Sequence, residues 1–296
     1  MEALFLKLFA MGIVVVLYIF IECFREISTF QVTHYKIQSP KMVLQQEKKI
    51  VLLSDLHNYC YGRENQKLLN KIKEQKPDLI LVAGDMLIGQ EGASAEVAIH
   101  FMKELGKICD VYFANGNHEQ RMKENPKRYG KIYEEYKEAL LQGGIQILEN
   151  EQAEILLENN KIKIYGVEIP MECYRKFQKV SMPSDFMEKT LGTVDAEMYN
   201  ILIAHNPIFM SSYLKWGADL IVSGHLHGGV ARIPFFRGVI TPQGGLFPKY
   251  SGELTQEKTK KGVQSVVVSK GIGIHTIPIR FWNPAEVVVL HMKETK

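Results

Sequence analysis

The sequence predicts a layered α/β domain, a two-sheet sandwich flanked by helices, behind one N-terminal membrane helix. Three observations carry that reading. Short apolar, β-branched runs alternate with segments of helical period early in the chain, and hairpin-forming strands follow. Five such runs each lead into side chains with metal-binding atoms, in Asp55-Leu56-His57, Gly84-Asp85, Gly116-Asn117-His118-Glu119, Ala204-His205-Asn206 and Gly224-His225-Leu226-His227. Residues 3–24 are apolar apart from Lys7 and Glu22, which lie near the ends of the run.

A run of that length suffices for one membrane span, and charges near its ends reach the headgroups by snorkelling. A cleaved signal peptide is the rival reading, but no small-x-small cleavage site follows and the run closes on Glu22-Cys23-Phe24-Arg25-Glu26. A buried core helix is the remaining alternative. The expected organisation is a transmembrane anchor over 1–26, a linker over 27–48 containing Pro40, and one domain over 49–296. Arg25, Lys36, Lys41, Lys48 and Lys49 follow the span, against Lys7 and the amino terminus before it, which points the domain to the cytoplasm. A short basic N-terminus also fits an export anchor.

Within the domain, KIVLL (49–53) reads as a buried strand, helical spacing follows over 65–74, and Pro77-Asp78 breaks it before a second strand over 79–84. Ser94 is placed to cap a helix through Leu105, and VYFAN from Val111 is the third strand. A helix over 127–141 is stopped by Gly143-Gly144, and Ile145-Gln146-Ile147-Leu148 follows. AEILLE and KIKIYG form a hairpin turning at Asn159-Asn160, residue types that tolerate positive φ. The irregular stretch 171–197 either covers the site or connects its neighbours. NILIA and ADLIVSG then lead to His205 and His225, and the tail offers strands over 265–269 and 286–291.

Composition narrows the function classes. With 46% hydrophobic residues the 296-residue chain packs as an ordinary globular protein, and its 36 basic and 33 acidic residues form no block that would mark nucleic-acid binding. Cys23, Cys60, Cys109 and Cys173 lie far apart without a C-x-x-C, so neither a zinc knuckle nor a disulfide framework is indicated; free thiols favour a reducing compartment, although an exported protein of an anaerobe also tolerates them.

In open α/β sheets ligands gather beyond the carboxyl ends of the strands, where all five segments lie. Carboxylate oxygen, amide oxygen and imidazole nitrogen suit Mn²⁺, Fe²⁺ or Zn²⁺, and the lack of thiolates argues against a structural zinc cage or an iron-sulfur cluster. A carboxylate bridges two ions about 3.5–4 Å apart, the spacing that clamps both oxygens of a phosphoryl displacement. Asp85 is the natural bridge, with Asp55, His57 and His227 around one ion and Asn117, His205 and His225 around the other. Alternation along a strand end would send His225 and His227 to one side and Leu226 away.

The ordered set D-x-H, G-D, G-N-H-[DE], H, G-H-x-H, spanning residue 49 to about 291, resembles the calcineurin-like metallophosphoesterase superfamily. The strings SDLHNYCYG, AHNP, SGHLHGG, LFPKYSGE and GIGIHTIPIRFWNPAE resemble its membrane-anchored bacterial branch, which includes relatives acting on the pyrophosphate of UDP-diacylglucosamine. The resemblance implies a four-layer α-β-β-α sandwich. It further implies a hydroxide bridging two divalent ions as nucleophile, a phosphoester or pyrophosphate as substrate, lipid-linked phosphates among them, and His118 as the acid that protonates the leaving oxygen.

Two positions depart from the family pattern. Ile88 stands where relatives often carry an aspartate that supports the G-N-H histidine, so orientation of His118 falls to another group, such as a backbone carbonyl. Leu226 and Val230 replace residues of the common G-H-T-H-G-G-Q, neither of them a ligand position. Glu119 reads as loop support, Gly228 and Gly229 as a tight turn beside the metals, and Arg280 as either a phosphate or headgroup contact or a packing arginine. His34, His100, His275 and His291 lack a motif and read as structural or exposed. The competing function is a metal-bound scaffold or interaction protein of the same fold with little catalysis. Retention of every ligand favours the hydrolase.

Overall fold

The computed structural model describes residues 1–178, 180–233, 237–274 and 278–294; His275 therefore lies outside the described residues. In chain order the elements are α1 (Glu2–Ser28), β1 (Phe30–Ser39), β2 (Lys48–Leu53), α2 (Gln66–Gln75), β3 (Leu79–Ala83), α3 (Glu96–Gly106), β4 (Val111–Ala114), α4 (Asn117–Glu124), α5 (Pro126–Tyr129), α6 (Ile132–Gln142), β5 (Gln146–Ile147), β6 (Glu151–Leu157), β7 (Asn160–Val167), α7 (Phe186–Leu191), β8 (Tyr199–Ala204), α8 (Met210–Trp216), β9 (Leu220–Ser223), β10 (Leu254–Thr259), β11 (Gly262–Val268) and β12 (Ala285–Glu294).

The strands form two six-stranded sheets, ordered β1-β12-β2-β3-β4-β5 and β10-β11-β9-β8-β7-β6. Side-chain alternation sorts each strand between two cores. Ile50 and Leu52 of β2 meet Ile201 and Ile203 of β8 between the sheets. Val51 and Leu53 face the other way, onto Leu68, Leu69 and Ile72 of α2 and Phe101 of α3. On the outer face of the second sheet, Leu202 and Ala204 pack against Met210, Tyr213 and Trp216 of α8. The layers are helix, sheet, sheet, helix, a four-layer α-β-β-α sandwich.

α1 is exposed along almost its whole length, and by length and composition it can cross a bilayer. The linker expected over 27–48 is corrected by β1, which pairs parallel with β12 from Phe30↔Ala285 to Ser39↔Glu294. Its mixed sequence FQVTHYKIQS hides the strand, because only Ile37 and Ser39 are fully buried at this edge position.

Two smaller expectations also change. The helix expected over 127–141 is two, α5 and α6, parted by Gly130 at φ 64°. The hairpin turns one residue earlier than Asn159-Asn160: Leu157 pairs with Asn160, and Glu158 takes the positive φ of 54°. The Asn160 side chain instead holds the turn, donating to the carbonyls of Leu157 at 3.2 Å and Val43 at 2.9 Å.

Candidate metal centre

Strands β2, β3 and β4 are mutually parallel, as are β8 and β9, so the carboxyl ends within each set share one edge. Asp55 and His57 follow β2, Asp85 follows β3, Asn117 and His118 open α4 after β4, His205 follows β8, and His225 and His227 follow β9. All eight are buried. The ligand-capable atoms of Asp55, His57 and His227 lie within 4.8 Å of one another, as do those of Asp85, His205 and His225, and those of His57, Asp85 and His118. His205 Nε2 stands 3.1 Å from Asp85 Oδ2, His227 Nε2 is 3.5 Å from Asp55 Oδ1, and His57 Nε2 is 3.0 Å from His227 Nε2. His118, which the sequence reading keeps apart from the ligands, has Nε2 3.9 Å from Asp85 Oδ2.

The backbone is bent to achieve this. Asp55, His57, Asp85, His225 and His227 all have left-handed φ, between 46° and 67°, a conformation that costs a residue with a Cβ roughly 1–2 kcal/mol. Cross-loop hydrogen bonds hold them there: Asp55 N–H to Gly84 O at 2.9 Å, His57 N–H to Asp85 O at 3.0 Å, and Gly273 N–H to Asp55 O at 2.7 Å. The strand alternation expected to aim His225 and His227 is therefore corrected. β9 ends at Ser223, and a tight turn with Leu226 in right-handed conformation sends His225 toward Asp85 and His227 toward Asp55.

Burial and mutual charge shift the titratable groups of the cluster. Burial raises the Asp55 carboxyl to about 7 against the pull of His205. Burial pushes on Asp85 too, but the imidazoles of His205, His118 and His57 hold it well below the usual carboxylate range. His205, which burial alone would drive down, is lifted to about 9 by Asp85. The Asn117 Oδ1 is buried with no hydrogen-bond partner among the described residues, an expense that a bound ion would remove. The residues present fit two divalent ions by donor chemistry and by this unpartnered oxygen.

A family model described as calcineurin-like phosphoesterase matches residues 48–229, more than half of the chain. The chain belongs to the calcineurin-like phosphoesterase family. Membership supports a phosphoesterase hydrolase role and a site for two divalent metals. Among relatives, the chain is 28% identical to the metallophosphoesterase YkuE of Bacillus subtilis over 83% of this chain and 79% of that one. It is 28% identical to a metallophosphoesterase of Aquifex aeolicus over 89% and 92%. It is 26% identical to a transmembrane protein with metallophosphoesterase domain from Danio rerio, over 83% and 53%. Among solved structures, phosphopantetheinyl hydrolase from Mycobacterium tuberculosis aligns with a TM-score of 0.45 at 12% identity, over 76% of this chain and 90% of that one.

Around the cluster the structure adds residues that the sequence does not mark. At Ile88 the absent family aspartate is replaced not by a carbonyl but by a donor: Gly89 N–H donates to His118 Nδ1 at 2.6 Å. The neutral ring then carries its proton on Nε2, facing Asp85. Glu119 accepts from the backbone N–H groups of Asp85, Leu87 and Gly116, at 2.8, 2.8 and 3.0 Å, which is the loop support expected of it. Gln243 Nε2 lies 2.8 Å from His225 Nε2, and the Tyr174 ring stands edge-on to His225 with centroids 5.2 Å apart. The stretch 171–197 thus covers part of the site. Arg280 is buried and donates to the carbonyls of Lys270, Gly271, Gly273 and Asn283, so it packs the loop beneath Asp55. Nothing local in the sequence marks Gln243 or Tyr174, since each is a lone polar residue in an irregular stretch.

Proposed function

We propose that this chain is a membrane-anchored, dinuclear-metal-dependent phosphoesterase that hydrolyses a phosphoester or pyrophosphate, lipid-linked phosphates included. One observation carries the reading: buried carboxylates and imidazoles converge on one spot from two sheets, and Asn117, next in sequence to His118, has a buried Oδ1 with no hydrogen-bond partner among the described residues. Asp55, His57 and His227 would hold one ion, Asn117, His205 and His225 the other, and Asp85 both. Mn²⁺, Fe²⁺ or Zn²⁺ suits that oxygen and nitrogen set. When bound, two such ions acidify the attacking water and neutralise the phosphate oxygens.

The chain's own residues do the rest. Asp85 is held in place by the His118 N–H, which donates to its Oδ1 at 2.8 Å. The Gly89 N–H fixes the His118 ring with Nε2 toward the site; His118 would serve as acid for the leaving oxygen as the imidazolium, which takes a proton on Nδ1 once that nitrogen releases Gly89, gives up the Nε2 proton and returns to the neutral ring. α1 is the membrane anchor, and the basic excess after it sets the domain on the cytoplasmic side. A topology reporter fused to the C-terminus checks the side, and an extracellular signal reverses it.

The deciding experiment is hydrolysis of p-nitrophenyl phosphate and its bis ester by the full chain. Chelation should abolish turnover and Mn²⁺ restore it. Asp85→Ala should lose both metal and activity, while His118→Ala should lower kcat by about 10²–10⁴-fold with metal content unchanged. Undiminished turnover in either variant refutes the assignment. Less than one ion per chain, with no ester hydrolysed, favours the scaffold instead.

A further inference from the structure

α1 does not simply leave the domain at its C-terminal end; its last turns run alongside it. Trp282 Nε1 donates to the Tyr18 hydroxyl at 3.2 Å, the Tyr18 ring stands edge-on to Phe281, Tyr59 donates to the Ile27 carbonyl at 3.0 Å, and Asn283 N–H donates to the Glu26 carboxylate. Tyr18 precedes Phe24, the end of the apolar run, by about 9 Å along the helix at 1.5 Å per residue. With α1 in a bilayer, Phe281 and Trp282 therefore lie at the boundary of headgroups and acyl chains, where aromatic rings concentrate.

From Trp282 the apolar surface continues. Ile279, Phe177 and Ile240 line a cavity of about 320 Å³ whose lining also includes His227. Ile240 pairs with Leu246, next to Phe247, so the wall extends outward as a short finger. These side chains are open to water: Phe177 is 86% exposed, Leu246 65% and Phe247 56%. Phe177, Phe247 and Trp282 also hold left-handed φ of 57°, 47° and 50°. Strain that displays bulky apolar side chains to water is doubly unfavourable, and persists where the surface has a partner. Lys176 lines the same cavity, and it and Arg175 are exposed, cations suited to anionic headgroups.

We propose that this rim seats in the lipid–water interface of the membrane that α1 crosses, so that the cavity beside His227 opens toward the acyl layer. The occupant is the bilayer itself, and the proposal rests on reading α1 as a span.

The test uses the full chain in phosphatidylcholine vesicles containing phosphatidylglycerol, with acyl chains brominated near the headgroup. The chain has two tryptophans, and Trp216 is buried with its Nε1 on the Gly192 carbonyl, so Trp282→Phe supplies a nearly unquenched background. Phe247→Trp and, separately, Phe177→Trp in that background should lose more than half of the added emission to bromine. Leu156→Trp should lose little: Leu156 is exposed near the start of β7, the end of the sheet opposite His205. Flotation after alkaline washing reports α1 independently. A chain that does not float overturns the span and this inference together. One that floats with both rim reporters unquenched, or with Leu156→Trp quenched equally, overturns the docking alone.

Discussion

The side-chain amide of Asn283 donates to the backbone carbonyl of His227 at 2.6 Å, and the approach is so close that a Cβ on Gly228 would lie 2.0 Å from Asn283 Oδ1. The same residue's N–H binds Glu26 near the end of α1, so a single asparagine joins the anchor helix to the turn that carries His227. Outer groups that fix a ligand's backbone typically tune metal affinity about 10–100-fold. Asn283→Ala is expected to weaken Mn²⁺ binding by about that factor while the chain still folds. Titration of apo protein with Mn²⁺, read by bound metal, checks it, and unaltered affinity counts against the link.

Gly116 is fixed by contact. A Cβ there would meet Asp85 Oδ1 at 2.1 Å and Asp85 N at 2.5 Å, and the close approach is mutual, since a Cβ on Gly84 would lie 2.4 Å from Gly116 N. Gly116→Ala should displace Asp85, remove the metal and destabilise the fold by about 1–3 kcal/mol. Gly192, at φ 73° with open space around it, offers the contrast: Gly192→Ala should cost about 1 kcal/mol and spare hydrolysis. Thermal unfolding and turnover of both variants separate the two outcomes.

Glu119 satisfies the buried N–H groups of Asp85, Leu87 and Gly116 at once. Leaving them unpaired costs about 1–3 kcal/mol each before relaxation. Glu119→Ala should therefore lose at least about 3 kcal/mol and its metal, and Glu119→Gln, which keeps one acceptor oxygen, less than half as much. Equal losses in the two variants, measured by urea unfolding, contradict the role.

Glu149 yields a pH prediction away from the metals. Burial would raise its carboxyl, but Lys137, Tyr133 and Lys123 together hold it down at about 2. Because the folded value lies below the unfolded one, the stabilisation is complete above the ordinary carboxylate pKa and fades as pH falls toward 2. Wild type should exceed Glu149→Gln in stability by on the order of 2 kcal/mol at pH 7, with the gap closing between about pH 4.5 and pH 2. A gap that widens on acidification has the wrong sign.

The cluster of buried carboxylates and imidazoles was legible because its signal is local. Each of Asp55, Asp85, Asn117, His205 and His225 follows an apolar run whose composition dictates a buried strand, and strand ends are where sheets place ligands. Layer order followed from the same runs. β1 was not legible: an edge strand buries few side chains, so its sequence kept the look of a linker.

The sequence by itself determined which atoms can bind metal and that an apolar helix precedes them. Tertiary structure alone decided how those atoms are aimed and supported. Gly89 reaches His118 through a backbone N–H, which any residue except proline carries, so no letter in the sequence announces it. Asn283 reaches His227 across 56 positions, and Gln243 reaches His225 across 18. The apolar rim joins residues 177, 240–247 and 279–282 only after folding brings three separate loops to one cavity. Strand patterns are written in neighbouring residues, whereas support of a ligand depends on contacts that exist only once the chain has closed on itself.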